Sequence, residues 1–308
     1  MEIPSFYDPS TVGTLVVPQV TTAILEGGRA GFAPAAQDQQ KIALILVDVQ
    51  VDFVHTDGAL AVPGAVDDTR RTIEWMYRNL GKITRIVASL DSHVPLQIFY
   101  PLWWVNARGE HPAPFTAITA NAVEQGVWQP TVEVNWSRNY VRQLEESGKK
   151  TLIVWPHHTM LGTPGHAITP ALYEAIAYHS AARAIAPLFL EKGLIPKTEH
   201  YSILEPEVKV PDEPMGSLNT ALLEELAVYD LIYVAGQAKS HCVLETVTSL
   251  HHYFANRAPD RIHRWRFMTD CTSSVAHPSI NFDSMANAQL KYFSDQGMRL
   301  VTSTDPIE

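Results

Sequence analysis

Cysteine is scarce in this sequence: only Cys242 and Cys271 occur among 308 residues. Two thiols do not make a disulfide framework, so a crosslinked secreted scaffold is excluded and a reducing, cytoplasmic setting is expected. Long apolar runs are also missing. None approaches the roughly 18 residues that cross a bilayer. The opening MEIPSFYDPSTVGTLVVPQV lacks a basic start followed by an apolar core, so no secretory leader is expected. Basic charge is in deficit, with 23 Lys and Arg against 33 Asp and Glu for a formal charge of −10. Such a surface repels phosphates and anionic headgroups, which argues against nucleic acid and membranes as partners but leaves small neutral molecules open. The remaining composition is ordinary, 46% hydrophobic and 18% charged. It suits one large α/β domain, or one domain carrying a sizeable insertion.

Residues 1–40 are irregular in pattern and are read as an N-terminal arm that packs on the surface or on a neighbouring subunit. Organised structure begins at KIALILVDVQ (41–50), an apolar run ending in acid, as expected of a central strand buried on both faces. Similar runs recur at TRIVASLD (84–91), TLIVWP (151–156), AIAPLFLEK (184–192), DLIYVAG (230–236), RWRFMTD (264–270) and MRLVTS (298–303). Helical periodicity fills most of the intervals, at 66–80, 170–184, 218–229, 242–256 and 283–293. Alternating strands and helices predict an α/β fold with a mostly parallel central sheet and helices on both faces, over a single domain spanning 41–308. One stretch breaks the alternation. From about 94 to 150 the chain is rich in Trp and Pro, and only its end, near 136–148, looks helical. An insertion of that length is functional or a small subdomain: a lid, a subunit contact, or a satellite core around Trp103, Trp104, Trp128 and Trp136.

Ligands of open parallel sheets bind beyond the carboxyl ends of the strands. Here those ends carry reactive side chains one after another. The first predicted strand delivers Asp48, then Gln50 and Asp52. The second delivers Asp91 and His93, the third Trp155 and His158, the fourth Lys192. The fifth ends in a Gly236–Cys242 turn that opens a helix. A cysteine at a helix N-terminus is expected to have a lowered pKa, and the free N–H groups of that turn suit an oxyanion. A carboxylate such as Asp48 can take a thiol proton, and a lysine such as Lys192 can stabilise the resulting charges. Asp91, His93 and one of His157 or His158 form a mixed O/N set suited to Zn²⁺, Mn²⁺ or Fe²⁺. Cys271 lacks such company and is read as structural.

With these residues in view, the sequence resembles the nicotinamidase branch of the isochorismatase-like cysteine hydrolases. ALILVDVQVDFVHTDGALAVPGA (43–65) is similar to their opening, SLDSHVP (89–95) to their Asp-x-His segment and WPHHTMLGTPGHA (155–167) to their Trp-Pro-x-His segment. EKGLIPKTEHYS (191–202) resembles their Lys-Gly segment, and VAGQAKSHCV (234–243) their nucleophile turn. The likeness covers roughly 41–95 and 151–305, with all five motifs in order.

The resemblance implies a Rossmann-like three-layer fold with Asp48, Lys192 and Cys242 as the catalytic group. It selects His158 over His157 to complete a one-metal site with Asp91 and His93, zinc being the first expectation. It also selects Lys192 over Lys197. It implies a cis peptide at Gln237–Ala238, an oxyanion held by the N–H groups of Ala238 and Cys242, and Phe53, Trp155 and Tyr201 as walls for an aromatic ring. The N-terminal arm and the Trp-rich insertion, for their part, suggest a homo-oligomer. The expected reaction is hydrolysis of nicotinamide to nicotinate and ammonia through a thioester. Two other readings stand beside it: the same chemistry on another small amide, and a non-catalytic module that binds a pyridine-like ligand. The chain departs from the family at Thr159, at Lys239–Ser240–His241 and across 94–150. His241 is read as a surface residue at a helix start, the alternative being donation to the leaving group.

Overall fold

The computed structural model describes residues 3–147 and 150–308. Strand β1 is Ile42–Val47, and all six of its residues are buried, as a strand in the middle of a covered sheet requires. It is joined by β2 (Arg85–Asp91), β3 (Leu188–Lys192), β4 (Leu231–Gly236), β5 (Trp265–Met268) and β6 (Arg299–Val301). Every pairing is parallel, and the six-stranded order is β6-β5-β4-β1-β2-β3. The chain therefore winds outward in one direction from β1 through β2 to β3, and in the other from β4 to β6. The crevice at the carboxyl ends of β1 and β4 is the switch point where such sheets bind ligands.

Helices cover the sheet in a three-layer α/β arrangement. Helix α1 (Val20–Arg29), α2 (Ala65–Arg78) and α4 (Pro170–Arg183) pack together, while α6 (Leu244–Ala255) packs with α7 (Phe282–Asp295). The remaining longer helices are α3 (Val134–Glu146) and α5 (Thr220–Leu226). Among the described residues no helix is long and apolar enough to cross a membrane.

The structure departs from the sequence reading in several places. Residues 1–40 are not irregular throughout, because α1 lies against α4 at van der Waals distance. A Cβ added at Gly27 would fall 2.4 Å from the Tyr178 carbonyl oxygen, so only glycine permits the approach. The TLIVWP run does not enter the main sheet. Its backbone bonds go to the inserted segment: Leu152–Ile153 pairs antiparallel with Ala117–Ile118, Val154 N–H donates to Thr116 O, and Trp155 N–H donates to Phe99 O. An apolar run specifies that it is buried, but not which partner buries it.

The insertion is also packed rather than draped. Ile98, Phe99, Tyr100, Trp103, Trp104 and Tyr140 are buried in the same continuous core as β1. Three of its four indoles donate to acceptors of the protein, Trp103 to Ser137 Oγ at 2.9 Å, Trp104 to Ile98 O at 2.6 Å and Trp136 to Lys197 O at 2.6 Å.

Candidate active site

Asp48 follows the last residue of β1 and has a left-handed backbone, φ 48°, which turns the chain sharply at the sheet edge. Its neighbours at the same edge are the last residues of β2 and β3, Asp91 and Lys192, which are paired in register. Lys192 is buried, and its Nζ lies 2.9 Å from Asp48 Oδ2, 2.8 Å from Asp91 Oδ1, 2.9 Å from His200 O and 3.6 Å from Cys242 Sγ. Burial works against the charge on Lys192, but Asp48 and Asp91 outweigh it and hold the ammonium well above its ordinary pKa. Burial raises the Asp48 carboxyl, and Asp91 pushes it the same way against the pull of Lys192. Ser89 fixes Asp48 at both ends, donating its hydroxyl to Oδ1 at 2.6 Å and accepting the Asp48 N–H at 3.0 Å.

Cys242 lies in a π-helical turn, Lys239–Val243, that leads into α6. The thiol is buried, and its pKa is raised well above the ordinary value rather than lowered. Burial is the main cause. Asp48 and Asp91 add to it, and together they outweigh Lys192. The thiol form is thus favoured at rest, with Lys192 Nζ on the sulfur and an oxygen of Asp48 within 4.8 Å of it. The Gln237–Ala238 peptide at the entrance of the turn is cis, and the Ala238 carbonyl accepts from His241 N–H and Val243 N–H. The Gln237 side chain is held by Asp68 at 3.1 Å and Ser273 N–H at 3.4 Å.

Asp91 also turns toward two histidines. Its Oδ2 lies 2.8 Å from His93 Nε2 and 3.9 Å from His158 Nε2. Ligand atoms of the three residues all fall within 4.8 Å of one another. In both rings Nδ1 faces a backbone carbonyl, Gly193 O at 3.3 Å for His93 and Pro156 O at 2.7 Å for His158. A carbonyl only accepts, so Nδ1 of His158 carries the proton and its Nε2 keeps a lone pair for the centre of the cluster. His93 Nε2 instead donates to the Asp91 carboxylate, which against burial raises the His93 pKa, and gives up that proton to ligate a metal. Burial, reinforced by His93, lowers His158 to about 3, which keeps it in the neutral, ligating form. The donor set fits a divalent cation, and these ligand types suit zinc, manganese or iron. Gly193 completes the cradle. Its φ is +86°, and a Cβ there would stand 2.8 Å from Asp91 Oδ1 and 2.9 Å from His93 Cε1.

The structure separates the ambiguous pairs by burial. His158 is enclosed, whereas His157 is exposed and stacks on Tyr100 at 4.3 Å. Lys192 is enclosed, whereas Lys197 pairs with Glu213 at 3.2 Å near the surface. Phe53 packs edge-on to His158 at 5.4 Å. Trp155 donates its indole N–H to Tyr201 OH at 3.1 Å. His241 is not on the surface: only 3% of it is exposed, and its ring lies 5.3 Å from Trp155, 5.2 Å from Tyr201 and 4.7 Å from Phe282. Burial, with Lys150 and His277 nearby, holds His241 well below its usual pKa, so it is neutral.

Sequence reading passed over Ser89, and it placed Gln50 and Asp52 at the sheet edge without giving either a role. The Gln50 side chain accepts Asp91 N–H at 2.8 Å and donates to Asp91 O at 2.9 Å and His166 O at 2.8 Å. Asp52 Oδ2 accepts the N–H of Thr159 at 2.7 Å and so fixes the residue after His158. Strand alternation was the available signal for Ser89, since residues two apart share a face and Asp91 faces the site. The positions of Phe115 and Phe282 around Trp155 and His241 had no local signal.

Together these features define an α/β fold of doubly wound type with a buried Asp-Lys-Cys group beside a metal-ligand cluster. No protein-family model matches the sequence, and a comparison with curated proteins gives no match. Solved structures do match. A nicotinamidase/pyrazinamidase of Acinetobacter baumanii is 21% identical, aligns over 87% of this chain and 99% of its own, and has a TM-score of 0.53. The yeast nicotinamidase bound to the inhibitor nicotinaldehyde gives 17%, 85% and 99%, with a TM-score of 0.55. A protein of L. infantum in complex with nicotinate gives 18%, 87% and 95%, with a TM-score of 0.51. The chain has the fold of the nicotinamidases.

Proposed function

We propose that this protein is a metal-assisted cysteine amidohydrolase that cleaves a small primary amide, with nicotinamide as the first substrate to test. One observation carries the reading: the Lys192 ammonium bridges Asp48 and Asp91 and reaches Cys242 Sγ, all in a buried setting. The fold shared with nicotinamidases supports the same choice of chemistry.

In this mechanism Asp48 accepts the proton of the Cys242 thiol, and Lys192 stabilises the thiolate as it forms. The sulfur bonds to the amide carbonyl carbon while the carbonyl π pair moves to oxygen, where the N–H groups of Ala238 and Cys242 stabilise it. On collapse the C–N bond breaks, the proton returns from Asp48 to the leaving nitrogen, and ammonia departs from a thioester. Water, deprotonated by Asp48, then releases the carboxylic acid and restores the thiol. A divalent cation held by Asp91, His93 and His158 would supply a Lewis-acid anchor for a ring nitrogen of the substrate. Phe53, Trp155 and Tyr201 would flank the ring. A homo-oligomeric state belongs to the same proposal, supported by the N-terminal arm and the Trp-rich insertion.

The test is ammonia release from nicotinamide by purified protein, with and without a chelator, beside a panel of other small amides. Turnover that depends on Cys242 and is lost on chelation is the expected result. Activity confined to another amide would keep the machinery and replace the substrate. A protein that binds pyridine carboxamides but releases no ammonia from any amide would overturn the hydrolase reading in favour of a binding module.

A further inference from the structure

Tyr201 and His241, which pack against each other and against Trp155, also line a cleft of about 490 Å³ together with Leu244, Thr248, Phe282 and Met285. The nucleophile's own helix supplies part of that lining, Leu244 lying two residues and Thr248 six residues beyond Cys242. A volume of that size falls in the range of sites that enclose whole drug-sized ligands, which is more than one ring needs. Apolar atoms make up the larger part of the cleft's surface, beside polar side chains such as Thr151, Thr248, His252 and Gln289. Its cation is already engaged, because Lys150 pairs with Glu245 and lies over the Tyr201 ring at 4.8 Å. His241 is oriented as well: Ser240 Oγ accepts the Val275 N–H at 3.1 Å and meets His241 Nδ1 at 2.9 Å.

Resting on the amidohydrolase reading above, we infer that this cleft is the acyl-side subsite of the enzyme. The substrate class is primary carboxamides whose acyl group carries an uncharged, mainly apolar extension beyond the ring next to the carbonyl. The carboxamide reaches Cys242, the first ring lies along Trp155 and Tyr201, and the extension passes His241 to rest on Leu244, Phe282 and Met285. A charged extension is disfavoured, because the Lys150–Glu245 pair offers no unpaired charge to meet it.

The experiment compares pyridine-3-carboxamide with the same amide bearing a phenyl substituent on the ring, using metal-loaded enzyme and the variants Thr248→Trp and Met285→Trp. Both positions lie on the cleft wall, and Met285 is 60% exposed, so a bulky side chain there fills the cleft without entering the core. The wild type is expected to favour the phenyl-bearing amide at least tenfold in kcat/KM, and each variant to remove that preference through KM. Equal use of the two amides, or equal effects of the variants on both, would overturn the subsite. Calorimetry on Cys242→Ala separates the two proposals. If no amide is hydrolysed, the hydrolase reading fails, and the subsite still stands only if the phenyl-bearing amide binds at least tenfold more tightly and Thr248→Trp abolishes the difference.

Discussion

Asp91 and Lys192 face one another as the last residues of neighbouring parallel strands, and their side chains meet at 2.8 Å. Lys192 holds Asp48 with the same ammonium, so two buried carboxylates share one cation. Lys192→Met leaves both without it, and removing one partner of a buried ion pair costs about 3–5 kcal/mol. Urea unfolding should show a loss of that order together with loss of ammonia release, and Lys192→Arg should not restore turnover. A variant as stable as the wild type would contradict this electrostatic account.

Cys242→Ala should lower ammonia release by about a thousandfold or more, because removing the nucleophile removes the thioester route. Metal content, measured by elemental analysis, should be unchanged, since Cys242 is not among the ligands oriented by backbone carbonyls. Substantial turnover by this variant would mean that the nucleophile lies elsewhere.

Asp91, His93 and His158 should hold one divalent ion per chain. His158→Ala is expected to abolish its binding. Gln50→Ala should weaken it by about 10–100-fold, because Gln50 orients Asp91 from behind through both backbone groups. Titration with zinc and manganese in a competitive chelator assay would measure both effects, and unchanged affinity in Gln50→Ala would remove Gln50 from that role.

His179 predicts a pH dependence of stability. Burial lowers it from 6.5 to about 4, while its Nε2–H donates to Ile83 O at 2.9 Å. The unfolded chain takes a proton near 6.5 and the native chain only near 4, so stability falls as pH drops through that window and is level above it. The shift of about 2.5 corresponds to about 3 kcal/mol at the acid end. His179→Gln should flatten this limb in denaturant titrations between pH 7.5 and 4. A wild-type limb as flat as that of the variant would count against a buried neutral His179.

Residues 97–145 should not be removable. Because Phe99, Tyr100, Trp104 and Tyr140 sit in the main core, their deletion exposes it. Trp104→Ala alone should cost about 3–5 kcal/mol by thermal or urea unfolding. A folded, active deletion variant would show that this segment is an independent lid after all.

The fold was largely legible because its signals are local. Fully apolar runs such as Ile42–Val47 and Leu231–Gly236 declare strands covered on both faces, and the acid, histidine and lysine that follow such runs declare a shared sheet edge. The misreadings share one cause. Leu152–Ile153 looked like another central strand, yet its partners lie in the insertion. His241 looked like a surface residue at a helix start, yet Trp155, Tyr201 and Phe282 enclose it from other segments of the chain. Neither neighbourhood is written within a few residues of the side chain concerned.

The sequence by itself determined the alternation of elements, the residue types at the strand ends and the glycine after Lys192, because periodicity and backbone sterics act within a few residues. Only the tertiary structure decided the raised thiol of Cys242, the bridging of two carboxylates by one lysine and the way His93 and His158 turn Nε2 toward Asp91. Those properties are sums of burial and charge over groups as far apart in the chain as Asp48 and Cys242, and only the folded sheet edge brings such groups within a few ångströms.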